Sequence, residues 1–326
     1  MRLPPFASVL APALRAFAEH RKVLGYGDRT VLSHLAHFDR YLVTRGWTSP
    51  YLTREVVEDW ASSDPALQPR SRAGRLHVMR LLGRFIAQTR PETYVPGPAW
   101  GLRQSSGFRP YIYSSAEIKA LIAEARRLTP IGSLRPHTYA TLLGLLYCTG
   151  LRISEALALR LADVDLDTNL LLVRESKFHK SRLLPLSTGV SDTLRRYQEE
   201  RTKRTSPSDS GAPLFVNERR GECAYALVCA TFLFIARRTG IRRPAGTRGP
   251  RLHDFRHTFA VHRLLEWYRD GGDVQARLPL LADYLGHVSL VSTQVYLNIT
   301  AELLHEAARR FQPPGQPGHI SKGGAL

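Results

Sequence analysis

The sequence predicts a mainly α protein with a small antiparallel β-sheet, divided into a helical N-terminal domain and a larger α+β domain. Three observations carry that reading. Apolar residues recur at spacings of three and four through most of the 326 residues, in runs that stop at Gly or Pro, as helices with one buried face require. One stretch, "DVDLDTNLLLVRESKFHKSRLLPL", breaks the pattern, because its runs Leu170–Val173 and Leu183–Leu186 flank a basic, polar turn, the pattern of a hairpin. Residues 91–112, "PETYVPGPAWGLRQSSGFRPYI", hold Pro, Gly and Ser with little periodicity and read as a linker. The expected divisions are 1–92 for the first domain, 93–112 for the linker, 113–312 for the second domain and 313–326 for a Pro- and Gly-rich, flexible tail.

Residues 7–90 read as four or five short helices. "LAPALRAFAEHRKVLG" sets Leu10, Leu14 and Phe17 at helical spacing; "DRTVLSHLAHFDRYLVTRG" does so with Val31, Leu35, Phe38, Tyr41 and Leu42 after the cap-like Asp28. "TREVVEDWASS" opens on Thr53 as its cap. "SRAGRLHVMRLLGRFIAQTR" buries Leu76, Met79, Leu82, Phe85 and Ile86, and is expected to expose Arg70, Arg72, Arg75, Arg80 and Arg84 as a face for a nucleic-acid backbone. Beyond the linker, "SSAEIKALIAEARRL" is a capped helix with Glu117 in its first turn. "HTYATLLGLLYCTGLRISEALALR" reads as one or two apolar helices broken near Thr149 and Gly150. After the hairpin come the helix "SDTLRRYQEERTKR", a loop, and the apolar helix "AYALVCATFLFIARRTG". The loop "IRRPAGTRGPR" follows, with Arg242, Arg243, Arg248 and Arg251 suited to phosphate. The last helical stretches are "LHDFRHTFAVHRLLEWY" and "LLADYLGHVSLVSTQVYLNI".

Lys and Arg number 46 against 28 Asp and Glu, giving a formal charge of +18, and the sequence pI is about 10.4. A balance this basic points to a polyanionic partner, and nucleic acid is the usual one. No segment reaches the ~18 continuous apolar residues of a membrane span. The N-terminal apolar run is punctuated by Pro4, Pro5 and Pro12 and lacks a small-residue cleavage site, so no signal peptide is expected. Cys148, Cys223 and Cys229 are odd in number and lack metal spacing, which fits buried thiols in a reducing cytoplasm.

Polar residues inside these apolar patterns form a set. Arg152 follows Gly150 and Leu151 at the start of an apolar helix, and an Arg so placed needs an anionic partner. His253 and Arg256 stand three apart, on one helical face. His253 and His257 have the i, i+4 spacing of a metal pair, but Asp254 stands where a zinc-protease helix needs Glu, and Arg256 would set a cation beside the ion, so no metal is expected. Lys177 and Lys180 lie on the hairpin turn, His287 follows Gly286, and Tyr296 stands nine residues later. Two arginines can clamp the non-bridging oxygens of a phosphodiester and stabilise a pentavalent phosphorane. A Tyr can be the nucleophile, a Lys can protonate the leaving oxygen, and a His can relay a proton.

The set resembles the tyrosine recombinases, also called the phage integrase family. "TGLRISEAL" with Arg152, Lys177 on the hairpin, "HDFRH" with His253 and Arg256, "LGH" with His287, and Tyr296 stand in the family's order and spacing over residues 110–312. The resemblance implies catalytic roles for Arg152, Lys177, His253, Arg256, His287 and Tyr296, with Tyr296 the nucleophile. It implies a core-binding, SAM-like helical domain over 1–92 and a clamp of two domains around double-stranded DNA carrying specific recombination sites. It further implies a covalent 3′-phosphotyrosyl intermediate, a free 5′-hydroxyl and strand exchange in a synaptic tetramer, with neither cofactor nor metal required. The hairpin departs from the family, with "SKFHK" in place of a Gly-rich tip. Lys177, 25 residues after Arg152, takes the acid role, and Lys180 is expected on the DNA backbone with Arg72, Arg75, Arg242, Arg243, Arg248 and Arg251. The expected role is site-specific recombination or integration for a mobile element, where neighbouring sister recombinases would mark a transposon. The alternatives are DNA relaxation of the type IB topoisomerase kind and a catalytically inactive DNA-binding relative.

Overall fold

The N-terminal apolar spacing becomes four helices: α1 (Ala11–Val23), α2 (Arg29–Thr44), α3 (Arg54–Ser62) and α4 (Pro69–Ile86). The computed structural model describes residues 3–26, 29–97, 110–174, 181–204, 209–243, 249–286, 291–294, 296 and 300–310. The chain divides into two compact units, Met1–Phe108 and Arg109–Leu326. Thr53 caps α3 by accepting from the Val56 N–H, which satisfies one of the donors a helix start leaves free. Leu14, Leu35, Phe38, Leu42, Val57, Trp60 and Met79 meet in the core of this unit. Asp39 on α2 is buried and accepts from the backbone N–H groups of Ala7 and Ser8 and from the Ser8 hydroxyl, fastening the chain entering α1.

Two expectations for this unit change. Arg75 does not stand on an exposed face: it is 7% exposed, lies over the Trp60 ring, and donates through Nη1 to the Trp60 carbonyl and the Ser63 hydroxyl. The indole face and two acceptors compensate a guanidinium that would otherwise be costly to bury, and a side chain so engaged is not presented to DNA. Arg80 is half-buried and donates to the Pro96 and Gly97 carbonyls. Arg72 and Arg84 remain exposed. The Arg80 contacts, with the Tyr94 N–H on the Leu52 carbonyl, join residues 93–97 to this unit, although their composition reads as linker.

The second unit begins with α5 (Ser115–Ala125), whose cap Ser114 and Glu117 bond each other reciprocally, as the sequence predicts. α6 (Arg135–Thr149) is buried around most of its surface and packs against α5, α8 (Thr188–Arg204) and α10 (Asp254–Arg269). α7 (Ile153–Ala158) is a short helix after the break. The hairpin strands are β2 (Leu170–Val173) and β3 (Arg182–Pro185), in antiparallel register with Leu171 opposite Leu184 and Val173 opposite Arg182. A third strand, β1 (Val164–Asp165), pairs with β2 and extends the expected hairpin to a three-stranded sheet. Two residues carry too little alternation to be seen in sequence. α9 (Tyr225–Arg238), α11 (Val274–Leu285), α12 (Val291–Gln294) and α13 (Ala301–Arg310) complete the unit. One apolar cluster gathers Tyr113, Leu142, Phe215, Phe232 and Phe255; a second gathers Phe259, Leu264, Leu281, Leu285, Tyr296 and Leu303. Cys148 is exposed rather than buried, and Cys223 and Cys229 are half-buried. The hairpin tip, the linker residues 98–109 and the tail 313–326 lie outside the described residues.

Candidate active site

The site is assembled from chain breaks at helix ends. α6 stops at Gly150, in the left-handed region at φ +61°. A Cβ there would stand 2.6 Å from Cδ1 of Phe259 and 2.9 Å from Cδ2 of Leu285, so both the dihedral and the packing demand glycine. The turn delivers Arg152 to the cap position of α7. Its N–H donates to Glu155 Oε2 at 3.0 Å, and its Nη1 donates to Oε1 at 2.8 Å. α11 ends in the same way at Gly286, φ +69°. The carbonyls at that helix end carry the negative pole of the macrodipole and lack intrahelical donors.

Three arginines from three elements take these carbonyls in succession. Arg182 of β3 donates through Nε to Tyr284 O at 3.0 Å, Arg256 of α10 through Nη2 to Leu285 O at 2.7 Å, and Arg152 through Nη2 to Gly286 O at 3.2 Å. Arg256 also donates through Nη1 to Gly150 O at 2.9 Å and is 2% exposed. Burial, and then the Arg152 charge, push its pKa down to about 10, so it stays a cation at neutral pH. Among the described residues Glu155 is the single carboxylate bonded to this group. It bonds Arg152 and, through Oε1 and Oε2, the Nη1 and Nη2 of Arg182 at 3.2 and 2.9 Å. Burial would raise its pKa, but the two guanidinium groups hold it below the usual carboxylate range.

Tyr296 is 4% exposed within the second apolar cluster. Burial raises the pKa of its phenol, against the pull of Arg256, which hydrogen-bonds it, and of Arg152. His253 stands at the cap position of α10. Partial burial and the Arg256 charge lower its pKa, so it is neutral at pH 7. His257, one turn on, lies edge-on to His253 with ring centroids 4.9 Å apart and 5.5 Å from the Tyr296 ring. Its Nδ1 is buried without a hydrogen-bond partner among the described residues, and burial followed by the His253 charge pushes its pKa down to about 4. The arrangement can hold an anion between two oriented guanidinium groups, next to a phenol and a neutral imidazole.

Four of the six expected catalytic residues, Arg152, His253, Arg256 and Tyr296, are thus brought together, while Lys177 and His287 lie outside the described residues. Glu155 and Arg182 escaped the sequence reading. Glu155 carried one signal, a carboxylate three residues after a cap position; Arg182 carried none. Of the residues expected on DNA, Arg243 is exposed, Arg242 donates to Pro250 O, and Arg251 pairs with the buried Asp254. Lys180 and Arg248 lie outside the described residues. Among the described residues no helix is long and apolar enough to cross a membrane.

A profile described as "Phage integrase family" matches residues 113–302. The y4rB integrase/recombinase of Sinorhizobium fredii is 35% identical over 308 residues, covering 94% of this chain and 98% of its own length. The tyrosine recombinase XerC of Oceanobacillus iheyensis is 31% identical over 252 residues, 76% of each chain. The Tn1549 transposon integrase, solved with transposon right end DNA, shares the fold at a TM-score of 0.64 and 15% identity, over 92% of this chain and 98% of that one.

Proposed function

The chain belongs to the phage integrase family, the tyrosine recombinases, which cut and rejoin DNA, and from that membership we propose that it is a site-specific recombinase using Tyr296 as a covalent nucleophile. The observation carrying the proposal is the gathering of the half-buried Arg152, the buried Arg256 and the buried Tyr296 at a single helix end, with Glu155 the one carboxylate bonded there among the described residues. In the forward step the Tyr296 oxygen attacks the scissile phosphorus. Its proton passes to a base, for which neutral His253 is the candidate among the described residues, and the bond from phosphorus to the 5′ oxygen breaks. The leaving oxygen takes a proton from Lys177. The products are a 3′-phosphotyrosyl bond and a free 5′-hydroxyl. Attack by a 5′-hydroxyl from a partner strand reverses the sequence, and the phosphotyrosyl bond retains the energy of the broken phosphodiester. Arg152 and Arg256 bind the non-bridging oxygens and stabilise the charge that develops on them.

We place the activity with a mobile element, acting on paired recombination sites in a tetramer. The likeness to the y4rB integrase/recombinase along 98% of its length and to the fold of the Tn1549 transposon integrase supports this reading. The test of the chemistry is an SDS-resistant adduct with cognate DNA. Tyr296→Phe is expected to bind DNA normally and form none, and cleavage by the unaltered chain is expected to survive EDTA. An adduct persisting in Tyr296→Phe would move the nucleophile to another residue.

A further inference from the structure

Resting on that reading of the site, we propose that Arg182 is a positioning residue for Arg152, acting through Glu155 and the turn that ends α11. On this reading Arg182 does not touch the phosphate. Its fork closes on both oxygens of Glu155, at 3.2 and 2.9 Å, while the same carboxylate accepts from Arg152 at 2.8 Å. Its Nε holds Tyr284 O, two residues before the carbonyl that holds Arg152 Nη2. An ideal Cβ on Gly286 would lie 2.8 Å from Arg182 Nη1, so the guanidinium packs directly on the glycine.

Charge explains why the second arginine matters. A buried carboxylate facing Arg152 alone would form a neutral pair, turning its guanidinium away from any other anion. With Arg182 bonding the same carboxylate, two cations share one anion, and a net positive charge remains for the phosphate. All three hydrogen bonds of Arg152 therefore depend on groups that Arg182 holds: two go to the Glu155 carboxylate and one to the Gly286 turn. Arg182 also stands opposite Val173, at the end of the β2–β3 ladder nearest the tip, with Lys177 five residues before it. One side chain thus fixes the base of the hairpin to the helix end on which Arg152 and Arg256 are held.

A residue that only neutralised Glu155 would contribute to folding and leave Arg152 unaffected, so the test is coupling. Arg182→Met, Arg152→Ala and the double variant are compared in two assays: the rate of adduct formation at saturating DNA, and the binding of orthovanadate followed by vanadium NMR. Arg182→Met alone is expected to slow the adduct and weaken orthovanadate by about tenfold each, with DNA affinity within about twofold, as when a charge-assisted contact is misaimed and not removed. In the Arg152→Ala background the same change should alter either quantity by less than about twofold, because residues acting as a unit are not additive. Arg182→Lys, which keeps the charge and loses the fork, should fall between the unaltered chain and Arg182→Met, and with Glu155→Gln it carries the cycle if Arg182→Met fails to melt cooperatively. Equal losses in both backgrounds, or no loss in either, would overturn the proposal. Orthovanadate reads Arg152 without any DNA chemistry, so absence of an adduct from the unaltered chain would count against the phosphotyrosyl reading and leave the cycle to decide on Arg182.

Discussion

Arg75 in the first unit and Arg256 in the second are both almost completely buried, at 7% and 2% exposure. Arg75 lies on an indole ring and bonds one carbonyl and one hydroxyl, with no other guanidinium in those contacts. Arg256 is held by two carbonyls, yet its surroundings include Arg152, Arg182 and a tyrosine, with Glu155 the carboxylate among them. Burial of a charge is therefore not what marks a site. Both arginines donate to two acceptors, but only the second is placed where like charges gather and a ligand of opposite charge would relieve them.

That contrast can be broken by substitution. Arg256→Lys should keep a cation but lose the paired carbonyl contacts, and adduct formation should fall by about 10²–10³-fold, the cost of removing one donor at a developing oxyanion. Arg75→Met should do the opposite. It should destabilise the first unit by about 1–3 kcal/mol through the lost bonds to Trp60 and Ser63, measured by urea denaturation, while the adduct rate at saturating DNA stays within about twofold. A large rate loss in Arg75→Met, or none in Arg256→Lys, would remove the distinction.

pH sharpens the comparison further. His257 has a folded pKa near 4 against an ordinary 6.5, so the unfolded chain takes up its proton first. The stability it contributes is fully present above pH 6.5 and is lost as pH falls toward 4. His253, also lowered, acts in the same direction. Melting of the second unit is expected to drop over that window, and His257→Asn should flatten the slope. An unchanged slope would mean that His257 is not the group buried in its neutral form. The smallest effect belongs to the surface: Arg72→Ala should lower DNA affinity weakly and reduce the slope of log K against log salt by about one unit, as expected for one lost phosphate contact.

Much of the site could be read in the sequence because local rules carry it. Gly150 and Gly286 mark helix ends, and the polar residues beside them stand out against apolar spacing. Arg152, His253 and Arg256 were legible for that reason. Arg75 was misread because a helix-face argument cannot see a tryptophan on the neighbouring helix: Arg75 and Trp60 are 15 residues apart, and the pairing depends on how α3 meets α4. Arg182 was invisible because a strand of four residues beside a basic turn looks the same whether its arginine points to solvent or to a carboxylate.

What the sequence by itself determined is the alternation of helices with one short hairpin, the strongly basic charge, and the ordered set of residues that identified the family. Those features arise from neighbours a few positions apart or from composition, where spacing and charge act directly. The tertiary structure alone decided that the carbonyls of Tyr284, Leu285 and Gly286 would each receive an arginine, and that Glu155 would be shared between two of them. Arg152 and Gly286 are separated by 134 residues, Arg182 and Tyr284 by 102, so no local preference encodes either contact. They form because the end of a helix leaves carbonyls without donors, and because packing of α6, α10 and α11 brings the guanidinium groups to those carbonyls in surroundings where an unmet polar group is costly.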